Sequence, residues 1–179
     1  MNFSGANLSY SIFTRCNLTH ANFTHANLKR VNFTRSNLEA AQLDHASLTG
    51  ANLSRGNLSH ASLIGTNLEE ADLSSAEFFQ ANLTGANLTS ANLEGTNFKE
   101  ANLQQALLNK SNMHRTDTHD AILYQATIDT VLGINLAALE ALKKRTLILP
   151  AAKAVATPAI ENAAPATPSG ASATPVPTE

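Results

Sequence analysis

The stretch ANLTGANLTSANLEG, residues 81–95, is one five-residue word written three times with small changes. Extended in both directions, the same frame gives 26 consecutive words, centred on residues from Phe3 to Ile128, without an insertion. The central residue is Leu in 17 words and Phe in 6. Two places before it stands Ala in 16 words, and Asn separates the two in 16 words. An internal repeat of this regularity predicts a repetitive, solenoid-like architecture.

The period of five excludes a helix with one apolar face. Five residues rotate a helix by about 140°, so the central residues would be spread around every face. Within one word, the small residue, Asn and Leu alternate inward, outward and inward, as in an extended segment. Because five is odd, a straight strand would turn the next word inside out, so the polar pair after each centre must form a turn. The pattern therefore predicts an all-β solenoid with Leu and Phe inside.

The tandem pattern A(N/D)LXX resembles the pentapeptide-repeat family over residues 1 to about 130. The resemblance implies a right-handed quadrilateral β-helix, in which four words form each coil. The 26 words would then make about 6.5 coils, and a rod roughly 30 Å long at about 4.8 Å per coil. Independent support comes from phenylalanines that recur every 20 residues: Phe3 and Phe23, Phe13 and Phe33, Phe78 and Phe98.

Composition changes after the repeats, and we predict three segments: a β-helix over 1–130, a capping segment over 131–149 and a disordered tail over 150–179. GINLAALEALKKR, residues 133–145, indicates a short helix over 135–145 with Asn135 as its N-cap and basic residues at its C-terminal end. This helix would cover the open end of the core; dimerisation through it is the alternative. All six prolines lie in the tail, whose role as linker, tether or neutral extension is open.

Charge and hydropathy narrow the classes of partner. With a formal net charge of −2 and 15% charged residues, a strongly basic nucleic-acid binder is excluded, and no direct nucleic-acid contact is expected. The amino terminus shows no secretory leader pattern and no apolar run is long enough to span a bilayer, so we expect a cytoplasmic protein without a membrane partner. The single Cys16 occupies an inward small-residue position, which predicts a buried side chain.

No cluster of residues in the sequence is typical of catalysis. No Ser/His/Asp set, glycine-rich phosphate loop or carboxylate pair converges, so we expect no enzyme and no catalytic, cofactor or metal site. The run MHRTDTHD, residues 113–120, is rich in His and Asp, but its word centres become Met and Thr. We interpret it as a fraying coil. The outward Asn rows are expected to bond to turn backbone rather than to a ligand.

Stacking by 20 residues places Arg15, Arg35 and Arg55 in one outer column, with Arg30 on a neighbouring corner. Residues 1–60 carry five basic and two acidic residues, whereas residues 61–130 carry three basic and nine acidic residues. These four arginines are the candidate interaction surface, because guanidinium groups match carboxylates and phosphates; the alternative is a solvated face without a partner.

Two functions follow. The favoured one is a non-enzymatic protein–protein interaction or scaffold module with an unknown protein partner. The alternative, implied by the quinolone-resistance branch of the family, is a DNA-mimic protein that binds a type II topoisomerase such as gyrase. Mimicry requires a long acidic stripe in place of phosphates, and here only Glu100 and Asp120 stack.

The ends of the solenoid suggest self-association. The first coil would present unpaired backbone groups beside exposed Phe3 and Phe13, with Arg15 as its first charge. We therefore expect a possible homodimer through a solenoid end, with the N-terminal edge favoured over the helix.

Overall fold

The computed structural model describes residues 1–147, which form a right-handed quadrilateral β-helix followed by one helix, α1, Leu136–Leu147. In the β-helix each word contributes one extended step and one turn. Parallel bridges join each Asn-position residue to the residue 20 positions later, from Asn2↔Asn22 to Asn112↔Leu132. The predicted solenoid and its four words per coil are confirmed. Over residues 1–147 the extended steps are single bridges rather than longer strands.

Each turn resets the phase of the odd-numbered repeat. In the turn that follows the central residue Leu83, the Leu83 carbonyl accepts a hydrogen bond from Ala86 N at 3.0 Å, which closes the turn. From Gly5 to Gln125, the third residue of each turn has a positive φ, for example 66° at Gly85 and 59° at Arg15, as in a type II turn. The Asn82 Oδ1 atom accepts the Thr84 N–H at 3.1 Å, so the outward Asn row stabilises the turns as predicted.

The interior of the rod is a set of stacked columns. Leu63, Leu83 and Leu103 follow one another at 20-residue intervals, and each has a relative exposure of 0%. The rings of Phe78 and Phe98 stack with centroids 5.1 Å apart, close to the spacing of neighbouring coils. The inward positions predicted from the five-residue word therefore form the core.

Buried hydroxyl groups at inward small-residue positions have hydrogen-bond partners. Thr66 Oγ1 donates to Leu43 O at 2.8 Å, and Thr96 Oγ1 donates to Leu73 O at 2.8 Å. Because each hydroxyl reaches a carbonyl of the coil before it, Thr replaces Ala there without an unsatisfied buried group.

The first coil is less enclosed than expected. Cys16 is half-buried, and its thiol lies 3.9 Å from Thr14 O, so the prediction of a buried Cys16 is wrong. The physical reason is that the first coil has only one neighbouring coil among the described residues. Phe3 and Phe13, which were expected to be exposed, are instead partly buried, because they stack on Phe23 and Phe33 with ring centroids 4.9 and 5.3 Å apart.

The helix α1 lies across the last coil. Asn135 Oδ1 accepts the Ala138 N–H at 2.8 Å, which makes Asn135 the N-cap, and Leu142 is buried. Near the C-terminal end, Gln125 N donates to Thr146 O at 2.7 Å. The helix therefore covers core side chains and also accepts a backbone hydrogen bond from the solenoid. Its observed end at Leu147 is two residues beyond the predicted one; residues 148 and 149 of the predicted capping segment and the predicted tail lie outside the described residues.

Arg145 has a different role from the one expected. Instead of facing the carbonyl end of its own helix, its guanidinium donates to Thr118 O at 2.8 Å, Thr118 Oγ1 at 3.2 Å and Ala121 O at 2.6 Å. Burial lowers the pKa of Arg145, and the nearby Asp120 charge partly offsets that effect. Arg145 therefore fastens α1 to the solenoid.

The coil over residues 113–120 does not fray. Phe98 N donates to Asp117 O at 2.7 Å, and Glu100 N donates to His119 O at 2.9 Å, so the backbone hydrogen bonds between coils continue here. The polar centre Thr118 accepts the Arg145 guanidinium, which explains its departure from Leu.

Candidate interaction surface

Arg15, Arg35 and Arg55, here called the arginine ladder, occupy the same turn position in three successive coils. Their φ angles are 59°, 58° and 58°, so the three side chains leave the backbone in nearly the same direction. Arg15 N donates to Thr34 O, and Arg35 N donates to Ser54 O, each at 3.0 Å. Backbone hydrogen bonds thus hold the three arginines, the rungs of the ladder, one coil or about 4.8 Å apart.

A shallow groove of about 400 Å³ runs along the ladder, lined by the three arginines and a row of hydroxyl residues: Thr14, Thr34, Ser54 and Ser74. Thr34 Oγ1 and Ser54 Oγ each donate to an Asn Oδ1 in their own word, both at 2.6 Å. The Thr34 and Ser54 hydroxyl hydrogens are therefore committed to their own turns, and the guanidinium groups are the charged donors of the groove.

Among residues 1–147, the three positive charges of the ladder have no carboxylate within ion-pair distance. Within residues 1–147, the ion pairs shorter than 4.0 Å join His119 to Asp120 and Lys143 to Glu140, and neither involves the ladder. All three arginines are exposed. Three like charges in one column raise the local potential and favour an anionic partner.

Arg30, the fourth predicted residue, lies apart from this groove. It belongs to the preceding corner, where its side chain extends over Gly50: a Cβ at Gly50 would lie 3.4 Å from Arg30 Cγ. The structure thus brings together three of the four candidate arginines. Arg115 shares the ladder's column but stands three coils beyond Arg55, after Ser75 and Gly95.

The other polar clusters are weaker candidates for a binding site than the arginine ladder. In the part of the chain that the structure describes, no group of three or more His, Cys, Asp or Glu residues could hold a metal ion. His25 and His45 stack with ring centroids 5.2 Å apart. A second groove of about 330 Å³ includes Glu100 and Asp120, and Gln80 Nε2 donates to Glu100 Oε2 at 2.8 Å.

The N-terminal edge has unpaired backbone groups. Within residues 1–147, the N–H groups of Asn2, Asn7, Ile12 and Asn17 have no backbone acceptor, whereas the equivalent groups one coil later donate to the first coil. Ile12 is 75% exposed at this edge. Such an edge is able to pair with another chain.

These features define a right-handed β-helical repeat protein with a helical cap. The sequence model of the family described as "Pentapeptide repeats (8 copies)" matches residues 2–39, 41–78 and 76–115, which is more than half of the chain. The chain belongs to the pentapeptide-repeat family.

Several solved structures are similar to this chain. HetL, a pentapeptide repeat protein involved in heterocyst differentiation regulation from the cyanobacterium Nostoc sp. strain PCC 7120, is 30% identical, with 74% of this chain and 70% of HetL covered and a TM-score of 0.46. Rfr23, a pentapeptide repeat protein from the cyanobacterium Cyanothece 51142, is 32% identical, with 62% of this chain and 63% of Rfr23 covered and a TM-score of 0.40. QnrB1, a plasmid-mediated fluoroquinolone resistance protein, is 19% identical in a trypsin-treated form, with 82% and 90% covered and a TM-score of 0.48.

A search of curated protein sequences finds no match to this chain. Across residues 1–147, the structure contains no helix with the length and apolar character needed to cross a membrane.

Proposed function

We propose that this pentapeptide-repeat protein is a non-enzymatic interaction or scaffold module whose arginine ladder binds an acidic protein partner. The proposal includes a cytoplasmic location, which cell fractionation would test. One observation carries the proposal: three exposed guanidinium groups stand in register on a rigid backbone and have no carboxylate within ion-pair distance among residues 1–147.

Rigidity supports binding at this surface. The rungs are fixed by backbone hydrogen bonds between coils, so a partner would not have to order a mobile loop. The turn positions can vary without disturbing the core, because their side chains point outward while Leu, Phe and Ala fill the interior. A repeat protein of this kind supplies an extended surface whose partner is set by its outward residues.

A capture experiment tests the proposed function. Full-length protein is compared with a variant in which Arg15, Arg35 and Arg55 are changed to Glu, and captured proteins are identified from a lysate of the source cells. The matched control is Arg115→Glu, which changes an exposed arginine of the same column outside the ladder. We expect a set of acidic proteins to be lost from the ladder variant and retained by the control. Identical capture by all three proteins would contradict the proposal.

Self-association through a solenoid end is part of the same proposal. The C-terminal end of the core is covered by α1, whereas the first coil has four N–H groups without backbone acceptors among residues 1–147. We therefore favour the N-terminal edge as the interface of a homodimer.

DNA mimicry at gyrase is less well supported. The acidic residues of the second half include Glu69 and Glu70 in one word and Asp72 in the next, so they follow one another around a coil rather than in one column. The ladder adds positive charge to the first half of the rod, and a DNA-binding groove would repel it.

A further inference from the structure

Resting on the proposed function, we propose that the partner segment that occupies the ladder is an acidic α-helix, lying along the rod with one carboxylate per turn. The inference comes from the spacing of the rungs. Stacked side chains one coil apart measure 4.9 Å at Phe3 and Phe23 and 5.2 Å at His25 and His45, so the register of the rod is regular on both its inner and outer surfaces.

The three rungs of the ladder span two coil steps, or about 9.6 Å. On an α-helix, residues i, i+4 and i+7 share one face and span about 10.5 Å along the axis. A fully extended strand places three same-face side chains over about 13 Å. Three carboxylates on a helix therefore match the span of the three guanidinium groups to within about 1 Å, which flexible Arg side chains absorb, whereas three carboxylates on a strand exceed that span by about 3.5 Å.

The groove has room for this approach. Among residues 1–147, the other residues that line the groove are Thr14, Thr34, Ser54 and Ser74, whose short side chains leave a shallow trough of about 400 Å³. The Thr34 and Ser54 hydroxyl oxygens keep acceptor capacity after donating to Asn32 and Asn52, so they can accept from polar donors on the flank of a helix. The trough runs parallel to the rod axis, the direction that the rung spacing requires.

A nucleic-acid strand fits the same surface less well. A polyanion gains affinity with each phosphate it neutralises, and this ladder offers three positive charges before the column continues with Ser75 and Gly95. The nine acidic residues among residues 61–130 would repel the remainder of such a strand.

The test measures the affinity of the full-length protein for defined peptides by fluorescence anisotropy at low salt. The first probe is an alanine-based helical peptide of about 20 residues with Glu at i, i+4 and i+7. The second has the same composition with Glu at i, i+5 and i+10, which lie on different helix faces. The third is an extended, proline-flanked peptide with Glu at i, i+2 and i+4, and the fourth is a single-stranded oligonucleotide.

We expect the first peptide to bind at least roughly tenfold more tightly than the second and third, a difference of about 1.4 kcal/mol. Changing Arg15, Arg35 and Arg55 to Gln should abolish that preference, and Arg115→Gln should leave it unchanged. Raising the salt concentration should weaken the preferred complex most, because its charges are solvent-exposed.

Three results would overturn the helix proposal: equal binding of the helical and extended peptides, no measurable binding of the first peptide, or tighter binding of the oligonucleotide. These results are distinguishable from failure of the proposed function. If the helical peptide with Glu at i, i+4 and i+7 and the extended acidic peptide bind equally, and both lose affinity in the Arg→Gln variant, the ladder binds acidic partners without selecting a helix. If the variant binds every probe as well as the wild type, the ladder is not the binding surface.

Discussion

Changing Leu83 to Ala probes the inward assignment on which the whole fold depends. Leu83 has a relative exposure of 0% and stacks between Leu63 and Leu103. The substitution removes three buried carbon atoms, which contribute about 2.4 kcal/mol at about 0.8 kcal/mol each. The cavity adds to this loss at about 24 cal/mol per Å³, because the surrounding structure relaxes only partly.

The neighbouring coils have little freedom to close such a cavity. Leu83 N donates to Asn102 O at 2.7 Å, and Leu63 N donates to Asn82 O at 2.7 Å, so backbone bonds hold the coil from both sides. We therefore expect a loss of about 4 kcal/mol in the free energy of unfolding. For a domain of this size, the melting temperature should fall by about 8–16 °C.

Urea denaturation followed by circular dichroism measures the effect, and Leu107→Ala is the matched control. Leu107 stands at an outward Asn position and is 41% exposed, so the same chemical change there should cost less than about 1 kcal/mol. A loss below about half a kcal/mol at Leu83, or equal losses at the two positions, would refute the inward assignment.

Three further outcomes are expected. Arg145→Leu should lower the free energy of unfolding by about 1.5–3 kcal/mol, because the Thr118 and Ala121 carbonyls lose a charged donor. Lys144→Leu, on the exposed side of α1, should change it little in the same urea experiment. Equal effects of the two substitutions would mean that Arg145 does not hold α1 on the solenoid. Phe3→Lys should shift the protein toward monomer in light scattering, and a wild type that stays monomeric at high concentration would end the dimer proposal. Gyrase supercoiling should be unaffected by a modest excess of the protein, and potent inhibition would favour DNA mimicry.

The sequence was sufficient for the fold because the same physical constraint recurs in every word. An odd period forces a turn, and the inward positions then carry Leu, Phe and small residues in register. Leu63, Leu83 and Leu103 follow this rule, and the bridges at 20-residue intervals confirm it.

The structure differs from the sequence-based predictions at the two ends of the repeat. Cys16 is half-buried because burial depends on neighbouring coils, which the five-residue word does not specify. The pairing of Arg145 with Thr118 joins residues 27 positions apart, outside the period of the repeat. The polar centre at Thr118 was a usable signal, since a buried-column position without an apolar residue indicates a partner for its hydroxyl.

For the candidate surface, periodicity placed Arg15, Arg35 and Arg55 in one column, and the structure shows them sharing a groove. Periodicity also placed Arg30 on a neighbouring corner, but it could not predict the direction of the Arg30 side chain, because the direction of a long side chain depends on its local neighbours. The absence of a side chain at Gly50 lets Arg30 lie along its own corner, away from the ladder.

The central claim is that stacked guanidinium groups bind stacked carboxylates, and a charge-exchange cycle tests it most directly. Wild-type protein and the variant with Glu at positions 15, 35 and 55 are each titrated with the helical peptide carrying Glu at i, i+4 and i+7, and with its Lys counterpart. The account predicts that the wild type binds the Glu peptide, the variant binds the Lys peptide, and both mismatched pairs are weaker by roughly tenfold or more. Equal affinity of the wild type and the variant for the Glu peptide would contradict it.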